Sequence, residues 1–323
     1  MVTDIERRTI QLSNFKSFIS KYKMVLIFIL MVMISSLISE NFLTSRNISN
    51  ILRQVSVNGI LACGMTFVML TGGFDLSVGS LVSLSAVIAI GTQGNFGVVG
   101  AIVITLMIGA IAGSINGGIL ASINANSGDA FMITLGSQLG FAGVALLYTN
   151  ARVLPGSKSS FYNSLGQGTV FGFLPAPVFI FLIIVIISHF VLTATVVGRK
   201  IYLIGGNYEA ARLSGIRVKF YKGMVYSIAG ISAAVAGIIL SSRTLGGSPL
   251  AGVGYELDAI AAVIVGGISL TGGEGSILRT FLGVFIIGVL SNILNLLGMS
   301  SFNQMVIKGI VIILAVWLYN DKV

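Results

Sequence analysis

The sequence is poor in the residues that build most chemistry: one cysteine (Cys63), one histidine (His189), four prolines and only 9% charged residues. A single cysteine excludes an internal disulfide and any cysteine-built metal site, and a single histidine excludes a multi-histidine centre. No metal, cofactor or catalytic residue is expected. There is no G-x-x-x-x-G-K-[ST] phosphate loop, no H-E-x-x-H and no G-x-S-x-G. Arg212-Leu-Ser-Gly215 matches a fragment of an ATPase signature, but without a phosphate loop the chain is not expected to hydrolyse ATP. Proton-driven carriers use relays of buried acids and histidines, and that pattern is missing too. Pro155, Pro175, Pro177 and Pro249 sit in or beside predicted outer loops, which leaves helix interiors free of proline kinks.

Soluble domains carry about 25% charged residues. With 9% charged residues, 55% hydrophobic residues and a mean hydropathy of +1.00, this chain reads as an all-α integral membrane protein. A span needs about 20 apolar residues. Some ten apolar segments qualify, near 24–39, 55–71, 79–93, 98–121, 130–149, 177–196, 223–241, 256–270, 279–297 and 302–319. Several are short, which leaves tilted, re-entrant or broken spans open. Charge orients them. Placing both termini inside puts Arg7, Arg8, Lys16, Lys21, Lys23, Arg199, Lys200, Arg212, Arg217, Lys219, Lys222, Arg279 and Lys322 on the cytoplasmic side. Only Arg46, Arg53, Arg152, Lys158 and Arg243 fall outside, and Lys308 lies within the last span. Thirteen against five satisfies the positive-inside rule. The net charge of +9 then needs no nucleic acid; cytoplasmic loops and anionic lipid account for it. Residues 1–23 are expected to be a cytoplasmic N-terminus rather than a cleaved signal, because no small-x-small site follows the first apolar run.

Glycine is plentiful, at 41 residues. Gly109, Gly113 and Gly117 recur every four positions and predict one smooth face for close helix packing. An internal repeat appears at an offset of 200: Ile60–Gly73 aligns with Ile260–Gly273, six of fourteen positions match, and both copies end in Leu-Thr-Gly-Gly. Duplicated halves are common in transporters, so a duplication is expected. Thr44 or Asn47 is a cap for a helix whose apolar stripe is Ile48, Ile51, Leu52 and Val55. Residues 150–177 form the longest outer loop, either a docking surface or a lid on the protein's own face.

Acids within apolar surroundings are costly and therefore informative. Asp75 is placed to cap the helix that follows it, with Ser77 beside it, and Gly72 and Gly73 permit the sharp turn before it. Glu256 and Asp258 open another helix, where free N–H groups favour carboxylates. These four residues read either as structural caps or as part of a translocation path. Lys308 either pairs with an acid or snorkels.

One charged stretch interrupts the apolar pattern at length. Gly198–Lys222 carries six basic residues and one acid, Glu209, and belongs on the cytoplasmic side. Its centre predicts a short helix, with Asn207 as cap, Glu209, Ala210, Ala211 and Arg212 as helix formers, and Gly215 as the stop. The residues alone allow two readings: a solvated loop that fixes topology, or a handle for a soluble partner.

Five stretches taken together resemble one family: Leu70–Leu81 (LTGGFDLSVGSL), Tyr202–Ile216 (YLIGGNYEAARLSGI), Gly254–Gly267 (GYELDAIAAVIVGG), Leu270–Ser276 (LTGGEGS) and Asn295–Met305 (NLLGMSSFNQM). The chain is similar to the permease subunits of ribose-type bacterial ABC sugar importers, from about Glu40 to Tyr319. Within it, Glu209-Ala-Ala-Arg-Leu-Ser-Gly215 resembles the E-A-A-x-x-x-G loop by which importer permeases grip their ATPases, although the later proline of that loop is absent. The resemblance implies a multi-pass inner-membrane homodimer, a cytoplasmic ABC ATPase, a periplasmic sugar-binding protein and alternating access driven by ATP. It implies contact with the ATPase by Asn207, Glu209, Ala210, Ala211, Arg212 and Gly215. Ribose is the expected cargo. A different pentose or hexose, a sugar-like signal molecule, branched-chain amino acids or an ion-coupled carrier are the alternatives.

Overall fold

The computed structural model describes residues 23–123 and 125–320. Most of the expected N-terminal segment 1–23, and Lys322, lie outside the described residues. The described chain is mostly helical, and several helices start and stop for a local reason. The first, α1 (Lys23–Ile38), is followed by a turn that Thr44 closes by accepting a hydrogen bond from the Asn47 N–H at 3.4 Å, which starts α2 (Ser45–Leu70). Thr44 is thus the cap, while the Asn47 side chain turns inward to Phe42 O (2.8 Å) and to Asn292. Then follow α3 (Ser77–Gly91), α4 (Gln93–Ser122) and α5 (Ser127–Thr149), the last opened by a reciprocal capping box between Asn126 and Asp129.

Beyond α5 come the two-residue strand β1 (Leu154–Pro155), a short helix α6 (Ser160–Gln167) and a small hairpin of β2 (Thr169–Val170) and β3 (Leu174–Pro175). Next are α7 (Ala176–Ala194), α8 (Val196–Gly206), α9 (Tyr208–Leu213), α10 (Val218–Thr244) and β4 (Gly246–Gly247), which pairs antiparallel with β1. The chain ends with α11 (Tyr255–Val265), α12 (Ile277–Leu296) and α13 (Ser301–Asn320). Six of these helices, α2, α4, α5, α7, α10 and α12, are long and apolar enough to cross a membrane. Three apolar helices are shorter: α1, α3 and the Ser301–Leu314 part of α13.

Buried polar backbone is intolerable in hydrocarbon, so the core here is helix on helix. Every residue of α2 from Val55 to Leu70 is buried, walled by α7, α10, α11 and α12. The predicted glycine face is used. A Cβ on Gly113 would stand 2.1 Å from Tyr226 O, one on Gly109 would stand 2.4 Å from Gly230 O, and one on Gly117 would stand 2.7 Å from Gly223 Cα. Backbone meets backbone along α4 and α10, which gains dispersion contacts where lipid offers no hydrophobic drive. The opposite side of α4 presents Val103, Met107, Ile111, Ile115 and Ile119 outward at the same four-residue spacing.

The connections gather at two opposite ends. At one, Ser127 donates to Gly72 O (2.7 Å), Lys222 to Ala125 O (2.6 Å) and Gly273 N–H to Leu70 O (3.0 Å), beside α8 and α9. At the other, Arg53 donates to Gly166 O (2.7 Å) and Ser157 to Gln93 (2.5 Å). Residues 150–177 are packed on this second end. Tyr162 is fully buried, hydrogen-bonded to Ser241 Oγ at 2.6 Å, and the Ser242 hydroxyl donates back to Tyr162 O. The hairpin tip is the most exposed apolar part of this segment, with Phe171 and Phe173 on either side of Gly172.

One segment enters the bundle without being a span. From β4 the chain descends along α3: Gly247 lies against Ala86 and Val87, Gly252 N–H donates to Ser83 Oγ (2.8 Å), and Gly252 lies against Gly79. Seven helical residues amount to roughly 10 Å. α11 therefore begins within the thickness of the bundle and, at 11 residues, is about 16 Å long, half a hydrocarbon core. The repeated segments differ here. Ile60–Leu70 is helical to its end, whereas the second copy breaks at Gly266 and Gly267 (φ +83°), five residues earlier than its counterpart.

Candidate functional site: a capped surface helix and the buried acids

α9 is built by its caps. The Asn207 side chain accepts from the Ala210 N–H at 2.9 Å, Glu209 lies in the first turn and Arg212 in the last, each on the side of the helix dipole that favours its charge. The helix closes where Gly215 adopts φ +78°, with Ile216 N–H reaching back to Ala211 O at 3.1 Å. Its extent is the one the sequence predicts. Ala211 is the buried anchor; Glu209, Ala210, Arg212 and Leu213 are exposed. The Glu209–Arg212 ion pair (2.9 Å) has both side chains more than half exposed, so it contributes about 0.3–0.5 kcal/mol at most. Its significance is as a surface. Leu213 is 77% exposed, an apolar residue on a six-residue helix with acid and base beside it.

Behind α9 the basic residues are put to structural use. Lys222 lies 5.3 Å from the Tyr208 ring centroid and donates to Ala125 O, so it ties α9 to the α4–α5 turn. Lys200 lies 5.3 Å from the Tyr221 ring. By charge alone Lys222 belongs with the loop cations; its partners, 14 and 97 residues away, leave no local signal.

The acids form separate groups. Asp75 is fully buried; its Oδ1 accepts from the Ser77 N–H (2.9 Å) and hydroxyl (2.6 Å). It stands one residue before the geometric N-cap, Leu76, and holds the turn rather than the first helical N–H groups in series. Ser77 also accepts from Asn116 (2.9 Å), which in turn accepts from Ser137 (2.6 Å), so one chain of hydrogen bonds joins α3, α4 and α5. Glu256 and Asp258 lie at the start of α11, at bundle depth. Glu256 Oε1 accepts from Gln138 at 3.1 Å, and its Oε2 occupies the space that a side chain on Gly79 would fill. Lys308 donates to both Asp258 oxygens at 2.8 Å. Lys308 therefore pairs with an acid. Gln138 and Asn116 were not signalled by the sequence, because isolated amides in apolar helices look alike until their partners are known.

Among the described residues, no group of three or more His, Cys, Asp or Glu side chains is arranged to hold a metal ion. What the molecule presents is a bundle with an exposed helix at one end and polar groups buried within it. Over residues 47–316 the chain matches the family described as the branched-chain amino acid transport system / permease component. The chain belongs to this family. The permease is 42% identical over 311 residues to the ribose import permease protein RbsC of Escherichia coli (strain K12), covering 95% of this chain and 96% of that protein. It is 44% identical over 295 residues to the protein of the same name from Bacillus subtilis (strain 168), covering 91% and 90%. It is 34% identical over 338 residues to the xylose transport system permease protein XylH of Escherichia coli (strain K12), covering 86% and 85%. No solved structure matches the permease. It is a multi-pass protein of the bacterial inner membrane and the transport component of an ABC importer, with ATP hydrolysis left to a partner subunit.

Proposed function

We propose that the permease carries ribose inward in an importer driven by a cytoplasmic ATPase and fed by a periplasmic binding protein, and that α9 is the contact with the ATPase. The observation that carries this reading is α9 itself: six residues, capped at both ends, with acid, base and an apolar residue exposed, in a chain without an ATP site. The similarity to ribose import permeases over nine-tenths of the chain supports the cargo. The xylose relative makes another pentose the second reading.

In this reading the whole chain is one permease domain. Residues 198–222 face the cytoplasm as the coupling loop, 150–177 face outward, and both termini lie inside. The ten apolar segments form the membrane part, and the two Leu-Thr-Gly-Gly segments descend from a duplication. Two copies associate in lipid, and the path opens alternately to each side as ATP binding moves α9. Asp75 and Ser77 serve structure, since both are fully buried, Asp75 holding the turn before α3 through Ser77, and Ser77 bonding across to Asn116 of α4. Glu256 and Asp258, at bundle depth, are assigned to the path, where sugar hydroxyls need polar partners that lipid does not supply.

The test is recovery of the ATPase from detergent-solubilised membranes with the permease as bait, beside ribose uptake by whole cells. Wild type is expected to bring down the ATPase and to support uptake that stops when ATP is depleted. Glu209→Arg is expected to lose both. Uptake that survives ATP depletion but collapses with the ion gradient would overturn the assignment.

A further inference from the structure

The two Leu-Thr-Gly-Gly turns, 200 residues apart in sequence, meet in space. Gly273 N–H donates to Leu70 O at 3.0 Å, and a Cβ on Gly272 would stand 2.6 Å from Gly72 N. The third partner is the end of α8. A Cβ on Gly205 would stand 1.9 Å from Leu70 O and 2.4 Å from Gly273 N, and one on Gly273 would stand 2.7 Å from Gly206 N. Gly72, Gly272 and Gly273 all have φ between +74° and +89°, a region that other residues enter only with strain. Three stretches of main chain are thus in contact with no side chain between them. Tyr202 adds a hydrogen bond to Gly275 O at 2.9 Å, which fixes α8 to the second turn from one helical turn back.

The position of this junction matters. Gly205 lies two residues before Asn207, the cap of α9, and Asn207 N–H still bonds to Leu203 O at 3.1 Å. On the far side, the first turn joins α2 to α3 and the second leads through Ser276 into α12. Close-packed contacts of this kind transmit displacement, because there is no flexible side chain to absorb it.

We propose that this glycine junction is the relay by which movement of α9 reaches both repeated turns at once, with Gly205 as a positioning residue for transport. The relay moves as a rigid unit: α8, the two turns and the starts of α3 and α12 shift together. The proposal rests on α9 being the ATPase contact, and it adds where the force goes next.

Neighbouring glycines provide the test. Gly205→Ala introduces a methyl group that can be accommodated only by parting α8 from both turns. Gly206→Ala introduces the same methyl group with no heavy atom within 4 Å. In the assembled importer in proteoliposomes, Gly205→Ala is expected to retain the ATPase and to hydrolyse ATP, while sugar moved per ATP falls about tenfold. Gly206→Ala is expected to match wild type. Equal behaviour of the two variants would overturn the relay. Glu209→Arg separates this from the underlying reading. If it keeps the ATPase and transports, α9 is not the contact; if it loses both while Gly205→Ala transports normally, only the relay fails.

Should Gly205→Ala not assemble, a cross-link decides. Gly206 and Thr271 are exposed and line the same crevice, and the single native cysteine, Cys63, is buried. Joining Gly206→Cys to Thr271→Cys with a short bismaleimide is expected to leave transport intact, since a rigid relay does not separate. Transport abolished by the cross-link would overturn the proposal.

Discussion

The Asp258–Lys308 pair shows what one side chain can cost in this environment. Both are largely shielded, with side-chain exposures of 15% and 21%, and the pair ties α13 to α11. Lys308→Ala leaves a carboxylate at bundle depth without its cation, a loss of about 2–3 kcal/mol. Replacing both, as Asp258→Leu with Lys308→Met, is expected to restore most of the thermal stability measured in detergent. The glycines make a sharper pair. Gly113→Leu must displace α10, whose Tyr226 carbonyl occupies the site, and is expected to cost about 3 kcal/mol or to prevent assembly. Gly118→Ala meets nothing within 4 Å and is expected to leave the melting temperature unchanged or slightly raised. The four-residue spacing of Gly109, Gly113 and Gly117 was legible because it is a property of one helix. Gln138 with Glu256, and Lys222 with Tyr208 and Ala125, were not. Each depends on a second element that one strand of sequence does not locate.

Among elements, local chemistry again divides what could be read from what could not. The extent of α9 follows from Asn207 and Gly215, whose effects act within a few residues. Asn207→Ala removes the bond to the Ala210 N–H and is expected to weaken the helix by about 0.5–2 kcal/mol. Loss of ATPase recovery at high detergent, partly restored by Asn207→Asp or Asn207→Ser, would be the measurement. The folding of 150–177 onto its own end depends on Tyr162 and Arg53 finding Ser241 and Gly166, and composition alone left lid and docking surface equally open. The descent of 247–254 along α3 was hidden for a different reason. A glycine-rich segment reads as a loop whether it lies in water or is buried in protein, and only the bonds to Ser83 and the contact with Gly79 place it at depth.

For the whole molecule, two clusters of connections at opposite ends turn the charge argument into a geometric one. The residues that the positive-inside rule assigns to the cytoplasm, among them Arg199, Lys200, Arg212, Arg217, Lys219, Lys222 and Arg279, come from α8, α9 and the starts of α10 and α12, which meet at the α8–α9 end. At the α6 end, Arg53 of α2 donates to Gly166 O, and the segments that carry Arg152, Lys158 and Arg243 meet beside it. Orientation then reduces to one choice, and because Cys63 is buried a single introduced cysteine reports it. Phe173→Cys places a thiol at the exposed hairpin tip, and Ser214→Cys places one just after α9. In intact cells whose outer membrane admits small solutes, a membrane-impermeant maleimide is expected to label Phe173→Cys at once. Ser214→Cys is expected to label only after the inner membrane is opened, and more slowly when the ATPase is bound, because the thiol lies beside that contact. Labelling of Ser214→Cys in intact cells would invert the molecule. It would place α9 on the side without ATP, and the charge distribution and the coupling role would fall together.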